Sequence, residues 1–504
     1  MNCEAIADRR PGSCATVIFV SILSSLFIGA VAVSSQSLWI DEANTALKTV
    51  QPSLGSWWVT MVREKGSDLQ MPFYMLCAWA WEKIFGASEY ALRASNIPWF
   101  AVAAVAMMSI FPKNARLQVS ALLLTLTNAF LWYYLSEARP YIVLLAFSAV
   151  IMACLLRVLV DQSSASSVVW FSLFCVGLVG LCATSLIAVP WAIGATTAVA
   201  LWIGVNETRR MLWRFRYTVA LTAAVLIALA AYYIWTLRVG ARASDVGKTN
   251  AKNIVFILYE LSGLAGLGPG RLDLREYGIA AYQPFLPILT VGIVAVVTLS
   301  LAGFSTLSRN VNPRRLIFFG LAVGLPFLLV LAVGYVGHMR LLGRHLTPVL
   351  PPVLALLAVG LNRLFSSPRL ILRPFALLCV TVLAASAVEI RFARRHQRDD
   401  YRSAAAEARK AIADGKKVWW AADISAAHYY KVPLDLPDLT LGSNLNDDSI
   451  VKLPPPDLVL LSKPDIYDPT GKIDNYLRAH DFKVTRTLPA FQIFQRRPDH
   501  DRSH

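Results

Sequence analysis

Long apolar runs recur along most of this chain, and they constrain its fold more than any other feature. About eleven runs of roughly 17 to 22 residues can be drawn, mostly separated by short charged loops. A helix needs about 20 apolar residues to cross a hydrocarbon core of about 30 Å, and it satisfies its backbone hydrogen bonds within one segment. We therefore predict an all-α polytopic membrane bundle of about eleven transmembrane helices. The runs lie at about 15–35, 91–111, 117–135, 140–160, 168–184, 186–205, 217–237, 284–304, 316–336, 346–362 and 374–390.

The composition agrees with a membrane location. Of the 504 residues, 56% are hydrophobic and 16% are charged, whereas a soluble domain carries roughly 25% charged residues. The formal net charge of +16 could indicate nucleic-acid binding, but most lysines and arginines flank apolar runs, where they orient helices and meet lipid headgroups. We therefore expect no nucleic-acid partner. The seven cysteines lie in or near apolar segments without metal-ligand spacing, so neither a disulfide framework nor a zinc site is predicted.

The placement of charge predicts the orientation of the bundle. Arg9 and Arg10 precede the first apolar run, which is too long for a typical signal peptide and is interpreted as an uncleaved signal anchor. With the N-terminus in the cytoplasm, arginine-rich loops such as residues 209–216 also lie inside, as the positive-inside rule requires. A further span at Met71–Phe85 would reverse this orientation. Its length of about 15 residues and its charged end favour instead a helix that lies on the outer surface.

This topology divides the chain into two predicted domains. Residues 1–390 form the transmembrane module with outer loops at 36–90 and 238–283, and residues 391–504 form a soluble α/β domain outside the cytoplasm. The tail shows no catalytic signature, and we interpret it as a structural or acceptor-guiding cap. Its signals are a helix at 402–414 ended by Gly415, strands at 418–421, 457–461 and 491–494, and a helix at 473–479.

Two adjacent carboxylates, Asp41 and Glu42, follow the first apolar run in SLWIDEANTAL. Such a pair is either a solvated first turn of a helix, where the helix dipole favours acidic residues, or part of a functional site. The functional interpretation requires partners on the same side of the membrane.

Partner candidates appear in two later motifs. Glu137 and Arg139 lie in LWYYLSEARPY at the outer end of the third run, and charged side chains so close to the hydrocarbon indicate a buried site. Arg340, Arg344 and His345 lie in GHMRLLGRHLTP. Arginines at a bilayer surface bind phosphate in a bidentate manner, and they also bind lipid headgroups, so both interpretations stay open.

The order of these motifs resembles that of the GT-C superfamily of membrane glycosyltransferases. The acidic pair is followed by LQMPFYMLCAWAWEKIFG, SEYALRASNIP, SEARPY and RHLTPVLPP. The resemblance covers residues 15 to about 365 and is greatest to the branch of protein mannosyltransferases, aminoarabinose transferases and rhizobial lipopolysaccharide transferases. It implies a helical bundle with an outer-face cavity and a polyprenyl-phosphate sugar as donor. It also implies a bacterial inner membrane, a cytoplasmic N-terminus and a periplasmic C-terminal domain.

The resemblance further implies residue roles. Asp41 corresponds to the catalytic base, and Glu137 to a second acidic position near the donor phosphate. Arg139 and Arg344 correspond to positions that contact or neutralise that phosphate. The chain departs from the family at LQMP, where relatives carry a His or Lys followed by two prolines, so no phosphate contact is assigned there. The predicted donor-phosphate and substrate-binding residues are Glu42, Tyr74, Arg139, Tyr141, Arg340, Arg344 and His345.

The residue chemistry supports such a reaction. Transfer from a lipid phosphate needs a base at the acceptor hydroxyl while positive charge develops on the sugar, and one carboxylate suffices for a single displacement with inversion. Cations can replace a general acid because the leaving group carries a phosphate. Tyr74 and Trp39 are candidates for stacking on a sugar, whereas the other aromatics of the first loop are interpreted as an interfacial belt. No cofactor is required, and no ligand spacing supports a metal.

We therefore expect an inverting glycosyltransferase that moves a sugar from a polyprenyl-phosphate donor to a hydroxyl of a glycolipid, a glycan or a protein. The alternative is a polytopic transporter or lipid flippase. A transporter is expected to carry ionisable residues near span centres or an internal repeat, and neither is visible in the sequence.

Overall fold

The structure is a computed structural model that describes residues 12–112, 114–160, 166–240, 249–310, 313–442, 445, 450 and 453–496. Arg9 and Arg10, on which the signal-anchor interpretation rests, lie outside the described residues, as do residues 241–248 of the predicted second outer loop. Helices fill the chain up to about residue 400, and a small sheet follows. This arrangement confirms the predicted helical membrane bundle with a C-terminal α/β part.

The bundle consists of long apolar helices with shorter helices in the connections between them. They are α1 (Gly12–Ala32), α2 (Ile40–Thr49), α3 (Leu54–Glu64), α4 (Pro72–Phe85), α5 (Glu89–Ala94), α6 (Asn96–Ser109), α7 (Ala115–Leu126), α8 (Ala129–Leu135), α9 (Tyr141–Val160), α10 (Ser166–Thr184), α11 (Val189–Ile203), α12 (Val205–Arg214), α13 (Arg216–Arg238), α14 (Ala251–Leu261), α15 (Arg271–Tyr277), α16 (Leu286–Asn310), α17 (Pro313–Val336), α18 (Leu350–Phe365) and α19 (Leu372–Phe392). Short 3-10 helices lie at Ser67–Gln70, Leu186–Ala188, Ala265–Leu267, Gly278–Phe285, Gly343–Val349 and Arg394–His396.

Several of these helices can cross a membrane, so the chain is a multi-pass membrane protein. Five helical segments of the described residues are long and apolar enough, and a sixth results if α11 and α12, which bend by 113° at their junction, form one span. Five further apolar helices have only 10–17 described residues, so the predicted count of eleven spans is not confirmed. Helix α4 has 14 residues, and its position on the outer surface stays a prediction.

The third predicted span, 117–135, differs from the structure because it is broken into α7 and α8. Asn128 starts the second helix, since its side-chain oxygen accepts a hydrogen bond from the backbone N–H of Leu131 at 3.2 Å. The Trp132 indole donates to the carbonyl of Leu126 at 2.7 Å. Two side chains thereby replace the backbone hydrogen bonds lost at the break, and the break sets the direction of the segment that holds Glu137.

The C-terminal part contains a five-stranded mixed sheet in the order β2-β1-β3-β5-β4. Strand β1 pairs in parallel with β2 and β3, and β5 pairs in antiparallel with β3 and β4. The predicted helix and strands occur within about two residues of their expected positions, and Gly415 has a φ of 72° after the first helix. The elements are α20 (Tyr401–Ala413), β1 (Val418–Ala421), α21 (Ile424–Tyr429), β2 (Leu439–Leu441), β3 (Leu458–Ser462), α22 (Pro464–Tyr467), α23 (Lys472–Ala479), β4 (Phe482–Leu488) and β5 (Phe491–Arg496).

Helix α2, which carries Asp41, packs into the hydrophobic core of the C-terminal part. Side chains alternate across β1, so that Trp419 belongs to one core and Trp420 to the other. The core that contains Trp420 also contains Ala43 and Ala46 of α2, together with alanines of α20 and α21. The helix after the first predicted span therefore depends on a domain that begins more than 350 residues later in the chain.

Polar contacts from the C-terminal part also hold the segment that leads into α2. The hydroxyl of Tyr430 accepts a hydrogen bond from the backbone N–H of Leu38 at 2.7 Å. The guanidinium of Arg402 donates to the carbonyl of Ser35 at 3.1 Å, and its backbone N–H donates to Ser37 Oγ at 3.0 Å. These contacts fix the backbone three to six residues before Asp41.

Candidate active site

Glu42 occupies a fully buried ion pair with Arg93 of α5. Arg93 Nε donates to one carboxylate oxygen at 2.8 Å, and Nη2 donates to the other at 2.7 Å. The backbone N–H of Ala138 donates to the first oxygen at 2.8 Å. Burial alone would raise the pKa of Glu42, but Arg93 and Arg398 outweigh it and lower this pKa. This position does not suit the substrate-binding role predicted for Glu42. Protein donors already bind both carboxylate oxygens, and no part of the side chain is exposed.

Asp41 has a different environment from its neighbour. Its side chain is 32% exposed, and one oxygen accepts a hydrogen bond from Arg344 Nη1 at 3.2 Å. Arg344 comes from the 3-10 helix Gly343–Val349, and its guanidinium lies 5.4 Å from the ring centre of Trp39 and 5.7 Å from that of Tyr141. The structure thus brings Asp41, Arg344 and Tyr141 together, although 300 residues separate the first two in sequence.

Glu137 lies between two arginines and makes no side-chain hydrogen bond within the described residues. Its side chain is fully buried, and neither carboxylate oxygen has a hydrogen-bond partner. Arg344 Nη1 lies 3.8 Å from one oxygen, and Arg398 Nη1 lies 3.8 Å from the other. Burial raises the pKa of Glu137, and the two arginines only partly oppose it.

Arg139 belongs to a second buried network, which contacts α2. Its Nη1 donates to Asp68 at 2.6 Å, to the Thr45 hydroxyl at 2.8 Å and to the backbone carbonyl of Asp41 at 3.4 Å. Asp68 also binds Lys48 Nζ at 2.6 Å. Burial would raise the pKa of Asp68, but Arg139 and Lys48 lower it. Arg139 therefore supports the backbone of Asp41 through its carbonyl. This role differs from the phosphate contact that the family resemblance implies for Arg139.

The other predicted residues make no hydrogen bond or ion pair with Asp41 in the described part of the chain. Tyr74 is buried in a hydrophobic cluster with Met71 and Met75 rather than on an open surface. His345 is partly buried, and its Nδ1 accepts a hydrogen bond from the backbone N–H of Leu342 at 3.2 Å. Arg340 is exposed, and no hydrogen bond or ion pair joins it to Asp41 or Glu137 in the described part of the chain.

A cavity of about 170 Å³ opens beside these residues, toward the C-terminal part. Helix α8, the region from α14 to α15, and the segment after α19 form its walls. Two of the lining residues connect the cavity to the acidic residues. Trp39 lies beside Arg344, the partner of Asp41, and Arg398 lies beside Glu137. Its lining includes Trp39, Phe130, Tyr133, Tyr134, Phe256, Tyr259, Glu260, Arg271, Arg275, His396, Arg398, Asp399 and Lys463. Within the described residues no group of three or more His, Cys, Asp and Glu side chains could hold a metal ion.

The chain is similar to known proteins in structure. No family model matches the sequence, and no curated protein is significantly similar to it in sequence. The crystal structure of ArnT from Cupriavidus metallidurans bound to undecaprenyl phosphate matches with a TM-score of 0.56, covering 96% of this chain and 98% of that chain at 13% identity. The apo state of the same ArnT matches over the same shares, with a TM-score of 0.55 and 12% identity.

The chain has the fold of this ArnT. This likeness confirms the resemblance that the sequence motifs predict, at the level of the fold. The match extends over the C-terminal part as well, since only 4% of the chain lies outside it.

Within this fold, Arg398 and Asp68 are among the site residues that the sequence does not reveal. Arg398 is one of five arginines between residues 391 and 402, and no local signal distinguishes it from the other four. It contacts Glu42 at 3.3 Å, and its Nη2 donates to the backbone carbonyl of Tyr133 at 3.1 Å. The interpretation of the tail as only a cap is therefore incomplete, because the tail supplies an arginine to the candidate site.

Proposed function

We propose that this protein is a glycosyltransferase that moves a sugar, with inversion, from a polyprenyl-phosphate donor to a hydroxyl group of a glycolipid, glycan or protein at the outer face of a bacterial inner membrane. The fold supports this proposal, since it is shared with an ArnT whose structure holds undecaprenyl phosphate, a polyprenyl phosphate. The topology proposed from the charge pattern would put the candidate site and the C-terminal part on the outer side.

The difference between Asp41 and Glu42 carries the proposal. Both carboxylates follow the first apolar run, but Glu42 is enclosed by protein donors, whereas Asp41 keeps a third of its side chain exposed. Among the described residues, Asp41 also has only one ion pair, with Arg344. A general base must reach a substrate hydroxyl, so Asp41 is the carboxylate of this pair that can act as one.

The ion pair between Asp41 and Arg344 suggests an order of events. The phosphodiester of the donor carries one negative charge over two non-bridging oxygens and can bind a guanidinium in a bidentate manner. When it binds Arg344, the Asp41 carboxylate becomes free to accept the proton of the acceptor hydroxyl. The acceptor oxygen then forms a bond to the anomeric carbon while the bond from that carbon to the phosphate oxygen breaks. The polyprenyl phosphate leaves with the electron pair, and Arg344 stabilises its negative charge.

An assay of sugar transfer tests this function. The purified protein is reconstituted in liposomes with a panel of polyprenyl-phosphate sugars and a cell-envelope extract that supplies acceptors. We expect transfer by the wild type, and a decrease of roughly 100-fold or more for Asp41→Asn, because general-base catalysis contributes about 10²- to 10⁴-fold. The thermal unfolding midpoint of the variant should stay close to that of the wild type.

Asp414→Asn is the matched control, since Asp414 is an exposed residue at the C-terminal end of α20. It makes the same carboxylate-to-amide change away from the site, and it should retain full transfer. Undiminished transfer by Asp41→Asn would overturn the assignment of the base. Movement of the intact lipid across the bilayer without sugar transfer would favour the flippase alternative.

A further inference from the structure

The cavity beside the candidate site contains more cationic than anionic side chains. Four of its lining residues are Arg or Lys, and two are carboxylates. Aromatic rings make up much of the rest, in particular Tyr133, Tyr134 and Tyr259. A mixture of aromatic faces and guanidinium groups suits a sugar that carries negative charge, because rings stack on the sugar while guanidinium groups bind the anion.

Most of these cations already have carboxylate partners. Lys463 pairs with Asp399, and Arg275 forms a two-pronged ion pair with Asp465 at 2.7–2.9 Å. Arg398 is the cation shared by Glu42 and Glu137. These partners neutralise three of the four cations within the protein.

Arg271 at the start of α15 differs from the other three. Its Nη2 donates to Glu260 at 2.6 Å and to the Tyr134 hydroxyl at 3.1 Å. Its Nε and Nη1 make no hydrogen bond among the described residues, and 38% of the side chain is exposed. Glu260 is the carboxylate partner of Arg271, and its second oxygen accepts a hydrogen bond from the backbone N–H of Gly343 at 3.0 Å. Arg271 therefore differs from the other three in its free donors and its exposure, and not in lacking a carboxylate partner.

Tyr133 holds the guanidinium of Arg271 in place. The guanidinium carbon of Arg271 lies 4.1 Å from the Tyr133 ring centre, and that of Arg398 lies 4.7 Å from it. A cation that stacks on an aromatic ring keeps the donors at its edge available, because stacking uses the face of the guanidinium plane. Arg271 is thus oriented and retains two free nitrogen atoms.

We propose that this cavity binds an anionic group of the acceptor saccharide, either a phosphate or a carboxylate, and that Arg271 is the residue that contacts it. The proposal rests on the proposed function, since an acceptor exists only if the protein transfers a sugar. Glu137 lies between Arg344, on the proposed donor side, and Arg398, which lines the proposed acceptor side together with Arg271. Asp41, as the base, must reach the acceptor hydroxyl. An acceptor bound here would lie next to Trp39, two residues before Asp41 in the chain.

Binding of small probes to the full-length protein in lipid nanodiscs tests this site. The probes are radiolabelled glucose 1-phosphate, glucuronic acid and glucose. We expect the two anionic probes to bind at least tenfold more tightly than glucose, and Arg271→Gln to weaken their binding about 10- to 100-fold, the range for losing a hydrogen bond to a charged group.

Two controls separate this site from the donor side and from general effects. Arg486→Gln removes an exposed arginine of β4 that also pairs with a glutamate, Glu407, and it should not alter binding. Arg344→Gln should weaken the binding of undecaprenyl phosphate and leave that of glucose 1-phosphate unchanged. Displacement of glucose 1-phosphate by undecaprenyl phosphate would overturn the proposal, as would equal affinity for glucose.

The outcomes also separate this proposal from the proposed function. Sugar transfer by the wild type, combined with an Arg271→Gln variant that keeps its acceptor KM and its anion affinity, overturns the acceptor site and leaves the glycosyltransferase intact. An increase of tenfold or more in the acceptor KM of Arg271→Gln, with kcat nearly unchanged, supports both.

Discussion

Glu42 and Glu137 both lie near Nη1 of Arg398, and both are fully buried, yet their carboxylates have opposite surroundings. Glu42 receives hydrogen bonds from Arg93 and from the backbone of Ala138 at 2.7–2.8 Å. Glu137 receives no side-chain hydrogen bond within the described residues, and its two arginines lie 3.8 Å away. A buried charge without hydrogen bonds is costly, so the two glutamates contribute to stability in different directions.

The pKa values of the two groups change in opposite directions for the same reason. Burial acts on both carboxyls and raises the pKa of each, but only at Glu42 do nearby donors outweigh it. Two glutamate side chains that are equally buried therefore have opposite effects: the charge of Glu42 stabilises the fold, whereas the charge of Glu137 destabilises it. Such uncompensated groups are characteristic of functional sites, where a ligand or a reaction step later uses them.

The largest expected effect is the loss of the Glu42 carboxylate. Glu42→Ala leaves Arg93 buried without its main partner, and breaking a buried ion pair costs about 3–5 kcal/mol. We therefore expect the free energy of unfolding, measured by SDS titration of the purified protein, to fall by about that amount. Much of the protein would then fail to accumulate in a folded state.

Glu407→Ala is the control for this prediction. Glu407 pairs with Arg486 on the surface of the C-terminal part, with both side chains at least a third exposed. Exposed pairs contribute about 0–1 kcal/mol, so the control should fold normally. A Glu42→Ala variant as stable as Glu407→Ala would contradict the structural role of the Glu42 pair.

The pH dependence of stability provides a second and smaller test. Glu42 and Asp68 have lowered pKa values, so their stabilising charge is present above the ordinary values of 4.5 and 3.8 and is lost as the pH falls below them. Glu137 has a raised pKa, so its contribution is favourable at low pH and is lost as the pH rises above 4.5 through the raised value. The two glutamates thus give slopes of opposite sign.

Unfolding midpoints of wild type and Glu42→Gln, measured between pH 3 and pH 8, check these signs. The deficit of the variant should be greatest near neutral pH and should shrink as the pH falls below about 4.5, where the unfolded chain takes up a proton at Glu42 before the folded protein does. A deficit that stays constant down to pH 3 would show that the charge of Glu42 does not stabilise the fold.

The sequence predicts the membrane bundle well because hydrophobicity over about 20 residues determines it locally. The sequence does not predict the break between α7 and α8, because it depends on how Asn128 and Trp132 replace backbone hydrogen bonds. It also does not predict that α2 packs in the core of the C-terminal part, since that contact joins segments more than 350 residues apart.

The candidate site is partly predictable for similar reasons. Motif order places Asp41, Glu137 and Arg344 on one side, and the structure brings them together. It does not distinguish the exposed Asp41 from the enclosed Glu42, because adjacent carboxylates look alike until Arg93 pairs with one of them. Nor does it select Arg398 from its neighbouring arginines, since only the docking of the C-terminal part determines which one reaches Glu137.

We expect the smallest effect on stability at Glu137, the buried glutamate that receives no hydrogen bond. It tests the contrast with Glu42. Glu137→Gln keeps the shape of the side chain and removes a charge that no hydrogen bond supports. Arg344 still has Asp41 as a partner, and Arg398 still has Glu42. We expect the free energy of unfolding at pH 7 to change by less than about 1 kcal/mol, or to rise slightly, because the raised pKa of Glu137 shows that its charge opposes folding at that pH.

Sugar transfer by the same variant should nevertheless decrease, because the charge of Glu137 attracts both Arg344 and Arg398 and thereby helps to position them in the site. The liposome transfer assay and SDS titration of Glu137→Gln provide the two measurements. Destabilisation as large as that of Glu42→Ala would show that Glu137 supports the fold in the same way, and the contrast between the two glutamates would disappear. A stable variant with reduced transfer would show instead that the uncompensated carboxylate serves the reaction and not the fold.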